Sequence, residues 1–221
     1  MTKVTSNSLA RMVLALGVIT VCAGALLGLA NAVTAPAIAA MMQQQKQDAL
    51  SEILPPFDNN PIEAAMRVPV GTDTLTVFPA TENGTPVGCA VETTAHGGFS
   101  GDFSVIFGFN DKGAVTGYRV LSHSETPGLG AKMGEWFCSP AGHRSVIGQT
   151  PGPDGLRLRK DGGDIDGITA ATITSRAFLS GLNTAYTAAV SSGAIRACLK
   201  INVKPEWSDS WRTKRQADDL R

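Results

Sequence analysis

The chain has 221 residues, with 19 basic and 19 acidic side chains and 43% apolar residues. This balance lacks the basic excess on which nucleic-acid binding depends, so no nucleic-acid partner is expected. After an apolar N-terminal segment, enough chain remains for one domain with a hydrophobic core. The four cysteines, which are Cys22, Cys89, Cys138 and Cys198, have spacings that fit no metal site. One lies in the apolar segment, and for the other three, ordinary buried thiols are expected, with one disulfide of undetermined pairing as the alternative.

The apolar segment near the N-terminus predicts a membrane-spanning helix. Residues 12–34 contain no charged side chain, and at about 1.5 Å per residue they can cross a hydrocarbon core of roughly 30 Å. A cleaved signal peptide is the alternative, because Ala30-Asn31-Ala32 resembles a cleavage site. The length of the segment favours a retained helix. Lys3 and Arg11 precede it, so residues 1–11 are expected on the cytoplasmic side and the rest of the chain outside.

The remainder divides into three predicted parts. Residues 35–56 mix apolar side chains with Gln and Lys, and predict an amphipathic connecting helix that stops at Pro55-Pro56. Residues 57–203 are expected to form one α+β domain with an antiparallel sheet and packed helices. Residues 204–221 carry both charges without periodicity and are predicted to be a polar C-terminal tail.

Four stretches of the domain predict strands, at residues 74–78, 87–93, 103–109 and 114–121. Gly, Pro and Asn bracket the first two, and the turn sequence Asn110-Asp111-Lys112-Gly113 joins the last two. Apolar residues alternate along the third strand, which indicates a face buried in the core rather than a cofactor platform. They are Phe103, Val105, Phe107 and Phe109.

A segment rich in small and hydroxylated residues, 166–175, opens a predicted helix. Apolar residues recur after it at helical spacing, and Gly193 fits the C-terminal end of that helix. Thr172, Thr174 and Ser175 therefore lie at or just before a helix N-terminus, where free N–H groups and the helix dipole attract phosphate. Two interpretations remain open from the residues alone: one hydroxyl caps the helix, or the segment binds an anion.

Two further glycine-rich segments are candidates for ligand contact. Residues 96–101 contain three glycines, which suit either close backbone approach to a ligand or a flexible connection. Residues 123–132 gather hydroxyl, carboxylate and ammonium groups around the tight turn at Pro127-Gly128.

A hydrolase with a threonine or serine nucleophile is a further alternative. It requires a general base, for which the chain offers His96, His123 and His143. The sequence has no G-x-S-x-G motif, which disfavours this alternative.

Residues 166–172 resemble the flavinylation signature of FMN-binding domains, Asp-x-x-Ser/Thr-Gly-Ala-Thr/Ser. Asp166, Thr169, Ala171 and Thr172 fill this pattern, and Ala170 stands where glycine is usual. The resemblance implies FMN attached covalently to Thr172 by a phosphoester bond. It places Thr169 and the neighbouring N–H groups near the phosphate. Asp166 is expected to serve recognition by the flavin transferase, or the divalent metal of that enzyme.

Residues 123–130 resemble a second segment of the same domains, His-x-Glu-Thr-Pro-Gly-Leu-Gly, which helps to form the flavin pocket. The resemblance implies a set of flavin contacts. Lys132 is added to them as a cation suited to a reduced, anionic flavin, and a solvated surface lysine is the alternative. The set is then Glu125, Thr126, Gly128, Leu129 and Lys132.

The chain has one apolar helix, then the segment 123–130 and then the signature 166–172. This arrangement resembles the G subunits of the Rnf ion-translocating electron transport complexes. The C subunit of the sodium-translocating NADH:quinone reductase shares both motifs but is usually longer. The resemblance implies an electron-transfer subunit of a membrane-bound ferredoxin:NAD oxidoreductase that moves ions, with no turnover of its own. FMN then carries the redox chemistry.

The implied partners are the other membrane and redox subunits and a flavin transferase. The implied location is the bacterial inner membrane, with the C-terminal domain on the periplasmic side. A membrane-anchored binding module without flavin is the alternative from another class of protein.

Overall fold

A computed structural model describes residues 6–195 of the chain. Cys198 and the predicted tail 204–221 lie outside the described residues. The chain divides into two compact units, Met1–Lys46 and Gln47–Arg221.

The described residues of the first unit, 6–46, are helical. Helix α1, Ser6–Ile53, runs without interruption through the predicted segment 12–34 and most of the predicted segment 35–56, with Pro36 inside it. Among the described residues it is the one helix long and apolar enough to cross a membrane. Its large apolar side chains are exposed over that stretch, as expected of a membrane anchor. The helix ends at Ile53, just before the two prolines predicted to stop it.

The second unit contains a five-stranded antiparallel sheet in which each strand pairs with the next along the chain. The four predicted strands are present. The first strand was not predicted, because it is short and contains Pro69, a residue that sheets tolerate mainly at an edge. The strands are β1 Met66–Val70, β2 Asp73–Glu82, β3 Thr85–Ala95, β4 Phe103–Asn110 and β5 Val115–Ser122.

Helix α3, Thr172–Ser191, covers one face of the sheet and packs mainly on β3. Phe178 lies at the centre of this layer, with ring centroids 5.3 Å from Phe107, 4.8 Å from Tyr118 and 4.4 Å from Phe137. The four alternating apolar residues of β4 are buried in the same core. The prediction that they belong to the core is confirmed, and it follows from the period-two alternation of a strand.

The last turns of α1 cover the opposite face of the sheet. Leu50 and Ile53 are buried there against Phe78 and Ile106. Gly108 permits this close packing, since a Cβ at that position would lie 2.5 Å from the Ile53 carbonyl oxygen. The α+β architecture with an antiparallel sheet and packed helices is therefore confirmed.

Short elements connect β5 to α3. A 3-10 turn at Gly130–Lys132 leads into helix α2, Met133–Trp136, and a second 3-10 turn lies at Arg159–Asp161. Residues 140–155 contain no helix or strand, in agreement with their Pro and Gly content.

The cysteines of the described residues are free thiols with different surroundings. Cys89 is buried on β3, and burial raises the pKa of its thiol to about 12. Cys138 is exposed instead, so the expectation of a buried thiol is wrong there. Its Sγ donates a hydrogen bond to the Glu135 carbonyl at 3.2 Å. No group of His, Cys, Asp and Glu within residues 6–195 is arranged to hold a metal ion.

Candidate functional site

The hydroxyl-rich segment forms the N-terminus of α3, as its sequence predicts. The helix begins at Thr172, and the preceding residue, Ala171, takes the N-cap position without a side-chain hydrogen bond. The interpretation that a hydroxyl caps this helix is therefore wrong. The first-turn N–H groups have no intrahelical acceptors, and with the helix dipole they favour an anion at this end.

Ser175 holds the loop that leads into α3. Its Oγ accepts a hydrogen bond from the Ile168 N–H at 2.9 Å and donates one to the Ala171 carbonyl at 2.9 Å. Both partners belong to the loop, and the Ser175 side chain is fully buried. Ser175 is therefore a structural residue of the segment.

Ala170 lies in the left-handed backbone region, with φ of +63°. This conformation costs a residue with a Cβ about 1 kcal/mol or more, and glycine adopts it freely. The preference for glycine at this point of the signature thus has a physical cause. In this chain the same turn forms with alanine, and the hydrogen bonds of Ser175 on either side hold it.

The Thr172 hydroxyl is partly exposed and lies 3.5 Å from Lys160 Nζ. Lys160 belongs to the 3-10 turn at Arg159–Asp161, which was not predicted to contribute to the site. The available signal was a run of three cations, Arg157, Arg159 and Lys160, shortly before the signature. Nothing in that run says which cation faces the hydroxyl.

The 3-10 turn is held against α3 by an ion pair. Arg176 donates two hydrogen bonds to the Asp161 carboxylate, at 2.8 and 2.7 Å. The guanidinium group lowers the pKa of Asp161, chiefly through these hydrogen bonds. Because Thr172 and Arg176 are four residues apart on one helix, their side chains share a face. The ion pair therefore fixes the turn beside Thr172.

Asp166 connects the signature to the loop after α2. Its carboxylate accepts a hydrogen bond from the His143 N–H at 3.3 Å and lies 3.6 Å from an Arg159 guanidinium nitrogen. Its backbone N–H donates to the His143 carbonyl at 2.7 Å, and its carbonyl accepts from Trp136 Nε1 at 2.9 Å. Asp166 thus has a structural role in which its charge is offset by Arg159.

Glu125 of the second motif is buried, with 5% of its surface exposed. Its Oε1 accepts a hydrogen bond from the Ser100 N–H at 3.3 Å. A Cβ at Gly98 would lie 2.7 Å from Oε1, and one at Gly130 would lie under 3.0 Å from Oε2. The carboxylate is therefore enclosed by the glycine-rich segment 96–101 on one side and by its own motif on the other.

Thr174 joins α3 to this cluster. Its side chain is fully buried, and Oγ1 has no hydrogen-bond partner within residues 6–195. Oγ1 lies 2.9 Å from the position that a Cβ at Gly130 would take, beside Glu125 Oε2. The N-terminus of α3, the second motif and the segment 96–101 therefore meet at one point. A buried hydroxyl without a protein partner fits a site that binds a polar ligand.

Apolar side chains are exposed beside this meeting point. Phe99, Leu129 and Ile173 are 69%, 41% and 49% exposed. Each is next in sequence to a residue that packs at Glu125 or Gly130. Exposed apolar groups beside a few polar ones are typical of a surface that binds a ligand or a partner. Only Leu129 was among the predicted contacts.

The other predicted contacts lie around the turn at Pro127-Gly128. The Thr126 carbonyl accepts hydrogen bonds from the N–H groups of Leu129 and Ala131, and Gly128 has φ of +78°. Lys132 is exposed and, with Gly128, lines a cleft of 740 Å³ beside β5. The lining of this cleft includes neither Thr172 nor Glu125. Lys132 is therefore not brought into contact with the predicted attachment residue.

The three histidines contact groups other than the candidate nucleophiles Thr172, Thr174 and Ser175. His96 Nδ1 lies 2.6 Å from Asp102 Oδ2, and His123 Nδ1 accepts a hydrogen bond from the Glu125 N–H at 3.2 Å. His143 uses its backbone N–H and carbonyl to bind Asp166. No histidine of the described residues is hydrogen-bonded to a candidate nucleophile, so the geometry does not support the hydrolase alternative.

His96 closes the base of the segment 96–101. Its Nε2 lies 3.4 Å from Asp73, and Asp102, its partner at Nδ1, also accepts a hydrogen bond from the Gly97 N–H at 3.1 Å. The hydrogen bond to Asp102 raises the pKa of His96 and lowers the pKa of Asp102. The imidazole of His96 thus connects Asp73, at the start of β2, with Asp102, which follows the glycine-rich segment.

Residues 98–187 match a protein-family model described as an FMN-binding domain. The matched range begins at Gly98 and ends within α3, so it contains Glu125, Gly130 and the whole signature. The FMN-binding domain therefore includes the residues that meet at Gly130.

Relatives extend the match over most of the chain. The G subunit of the ion-translocating oxidoreductase complex of Vibrio cholerae is 35% identical over 162 residues, 69% of this chain and 76% of that protein. The G subunits of Shewanella baltica and Salmonella typhimurium are 34% and 35% identical, and the matches cover 72% and 70% of this chain and 80% and 78% of those proteins. The chain belongs to the family of G subunits of ion-translocating oxidoreductase complexes.

Proposed function

We propose that the protein is the electron-transfer subunit of a membrane-bound ion-translocating oxidoreductase, and that it carries FMN attached covalently through its phosphate to Thr172. The observation that carries this proposal is the environment of Thr172. Its partly exposed hydroxyl lies at the uncapped start of a 20-residue helix and 3.5 Å from an ammonium group. Such a position suits the anionic ester of a phosphate.

The residues present fit FMN at both ends of the cofactor. The first-turn N–H groups of α3 and Lys160 would hold the phosphate, with the exposed Thr169 hydroxyl in the loop beside them. The buried carboxylate of Glu125 and the unpartnered Thr174 hydroxyl offer polar contacts, and Leu129 offers an apolar one. When bound, FMN accepts and releases electrons, while the protein fixes its position and tunes its potential.

The other predicted contacts are proposed to have separate roles. Thr126 and Gly128 shape the turn that presents Leu129, and Glu125 limits which polar edge of the ring can approach. Lys132 supplies a positive charge suited to a reduced, anionic flavin.

Asp166 is proposed to serve the maturation of the protein. A carboxylate beside a phosphate is repulsive, but the pairing of Asp166 with Arg159 reduces this effect. We assign the carboxylate to recognition by the flavin transferase or to its divalent metal. Asp166→Asn should then be flavinylated more slowly than the wild type. Equal rates and equal final extents would contradict this assignment.

The membrane topology is likewise proposed. Helix α1 anchors the protein in the bacterial inner membrane, residues 1–11 are cytoplasmic, and residues 57–203 form the flavin domain on the periplasmic side. The partners are the other membrane and redox subunits of the complex. A membrane-impermeant maleimide should label the exposed Cys138 in spheroplasts, with the label located by peptide mass spectrometry. Cys138→Ser should lose the label on that peptide. Labelling of Cys138 only after cell lysis would contradict the orientation.

The central test is the covalent flavin itself. The whole chain is coexpressed with a flavin transferase, and the product is examined by intact mass and by fluorescence of the denatured band, because only a covalent flavin survives denaturation. We expect one FMN-sized mass increment that Thr172→Ala abolishes. Thr184→Ala, which removes a partly exposed hydroxyl from the same helix, is the matched control and should keep the increment. A colourless wild-type protein would support the membrane-anchored binding module without flavin.

A further inference from the structure

We propose that Lys160 is a catalytic residue of the protein's own flavinylation, acting on the Thr172 oxygen and on the phosphate that becomes attached to it. This inference rests on the proposed function, since it requires Thr172 to be the attachment residue. Its direct basis is the distance of 3.5 Å between Lys160 Nζ and Thr172 Oγ1.

The position of Lys160 is built into the fold. The Arg159 N–H donates to the Ile165 carbonyl at 2.8 Å, and the Asp161 N–H donates to the Leu158 carbonyl at 2.8 Å. Gly162 closes the turn with φ of +83°. These hydrogen bonds fix the backbone on both sides of Lys160. The position of its ammonium group therefore depends only on the side-chain rotamer.

The ion pair between Asp161 and Arg176 orients this turn toward the attachment residue. Arg176 lies one helical turn after Thr172, so a turn fastened to Arg176 presents the preceding residue, Lys160, to Thr172. The turn that carries Lys160 is therefore held by a bidentate ion pair of good geometry between Arg176 and Asp161, at 2.8 and 2.7 Å. This ion pair places the ammonium group beside the Thr172 hydroxyl.

The other two cations near the turn are paired with carboxylates, whereas Lys160 contacts the Thr172 hydroxyl. Arg159 pairs with Asp166, and Arg176 pairs with Asp161. Lys160 also lowers the pKa of the neighbouring Asp161, but its hydrogen bond is directed to the Thr172 hydroxyl. Among these three cations, Lys160 is therefore the one that meets the oxygen to be esterified.

The step consists of a phosphoryl transfer without oxidation. Thr172 Oγ attacks the flavin-bearing phosphorus of FAD, which the transferase supplies. The Oγ–P bond forms, the P–O bond of the pyrophosphate breaks, and AMP leaves with the electron pair. The hydroxyl proton passes to a base of the transferase. Lys160 stabilises the oxygen as it loses this proton, and then pairs with the single negative charge of the phosphodiester.

The experiment measures the rate of flavin attachment in vitro. The whole chain, expressed without transferase and purified in detergent, is mixed with transferase, FAD and Mg²⁺, and the mass increment is followed with time. Lys160→Met should slow attachment about tenfold or more, the effect of losing one charge-assisted contact. Lys160→Arg should stay within about threefold of the wild type, because the charge is kept. Lys112→Met, in the exposed turn after β4, is the matched control and should leave the rate unchanged.

A second measurement distinguishes an effect of Lys160 on the phosphate from an effect on the flavin ring. Once Lys160→Met has been flavinylated to completion, its flavin midpoint potential should equal that of the wild type, because the cation acts on the phosphate. A shifted potential would overturn the assignment of Lys160 to the phosphate. The thermal unfolding of Lys160→Met should also be unchanged, since the side chain is exposed.

The two proposals fail in different ways. If the wild type gains no increment, or if Thr172→Ala gains one, the proposed function fails. If Lys160→Met gains the increment as fast as the wild type while Thr172→Ala gains none, only the role of Lys160 fails.

Discussion

The Glu125 carboxylate packs against the Cα of Gly130, so closely that a Cβ there would lie under 3.0 Å from Oε2. Gly98 encloses the same carboxylate from the other side. Glycine at position 130 is thus required by packing, since its φ is not in the left-handed region. Thr174 Oγ1 would lie 2.9 Å from the same Cβ, so α3 approaches this motif closely because position 130 lacks a side chain.

Gly130→Ala should therefore lower the free energy of unfolding by about 1–3 kcal/mol, the usual cost of overpacking a buried site. In a Glu125→Ala background the same change should cost less, because the nearest atom has been removed. Urea unfolding of the four proteins in this cycle measures the coupling. Gly134→Ala is the control, since a Cβ there meets no atom within 4 Å. If the effects of Gly130→Ala and Glu125→Ala on the unfolding free energy were additive, the contact between these residues would be contradicted.

Ala170→Gly should stabilise the protein by about 0.5–1 kcal/mol, because glycine relieves the left-handed strain despite its greater entropy in the unfolded chain. Thermal or urea unfolding measures the change. The control is Ala114→Gly, in a turn where φ is negative, and this substitution should be neutral or destabilising. A loss of stability in Ala170→Gly would mean that the loop carries no strain.

The pair of His96 and Asp102 should make stability depend on pH. The pKa of His96 is raised above 6.5, so its contribution is complete below pH 6.5 and is lost as pH rises through the folded-state pKa. The pKa of Asp102 is lowered below 3.8, so its contribution is present above pH 3.8 and is lost as pH falls through the folded-state value. The pair therefore stabilises the protein between these limits.

Because both side chains are about half exposed, the effect should be at most about 1 kcal/mol. The measurement is the difference in unfolding free energy between wild type and His96→Asn at pH 6 and at pH 8. The difference should be larger at pH 6, and other titrating groups cancel in the comparison. A difference that grows toward pH 8 would contradict the direction of the shift.

Alkylation should distinguish the two thiols of the second unit that the structure describes. Iodoacetamide at pH 8 should modify the exposed Cys138 in the native protein and leave Cys89 unmodified, since burial both shields that thiol and raises its pKa to about 12. Peptide mass spectrometry locates the label. In urea Cys89 should react as well, which shows that its protection comes from the fold.

Local patterns were sufficient to predict most of the fold. Alternation along β4 and the helical spacing after Thr172 reflect which side chains the core buries, and both are visible within a few residues. Strand β1 was missed because Pro69 and its short length hide the alternation. Its place in the sheet comes from pairing with β2, which no local pattern records.

Only the site residues that belong to a recognisable sequence motif were predictable. Thr172 and Glu125 stand in recognisable sequences, but their environments depend on contacts between distant segments. Lys160 was missed because its position depends on the ion pair of Asp161 with Arg176. Thr174 was one of three candidate hydroxyls, but its burial beside Gly130 depends on a contact between distant segments. The strain at Ala170 likewise appears only once the backbone is known.

The strand order of the sheet has a consequence for the maturation of the protein. Each strand pairs with its sequence neighbour, so the sheet can form by successive hairpins, whereas α3 must dock on it across a long stretch of chain. The meeting of Thr174 with Gly130 is thus expected to be a late event in folding. If the transferase acts on the assembled site, a chain that carries flavin is one that has completed folding. Under the proposed function, covalent flavin would then distinguish folded chains from unfolded ones before the protein joins its complex.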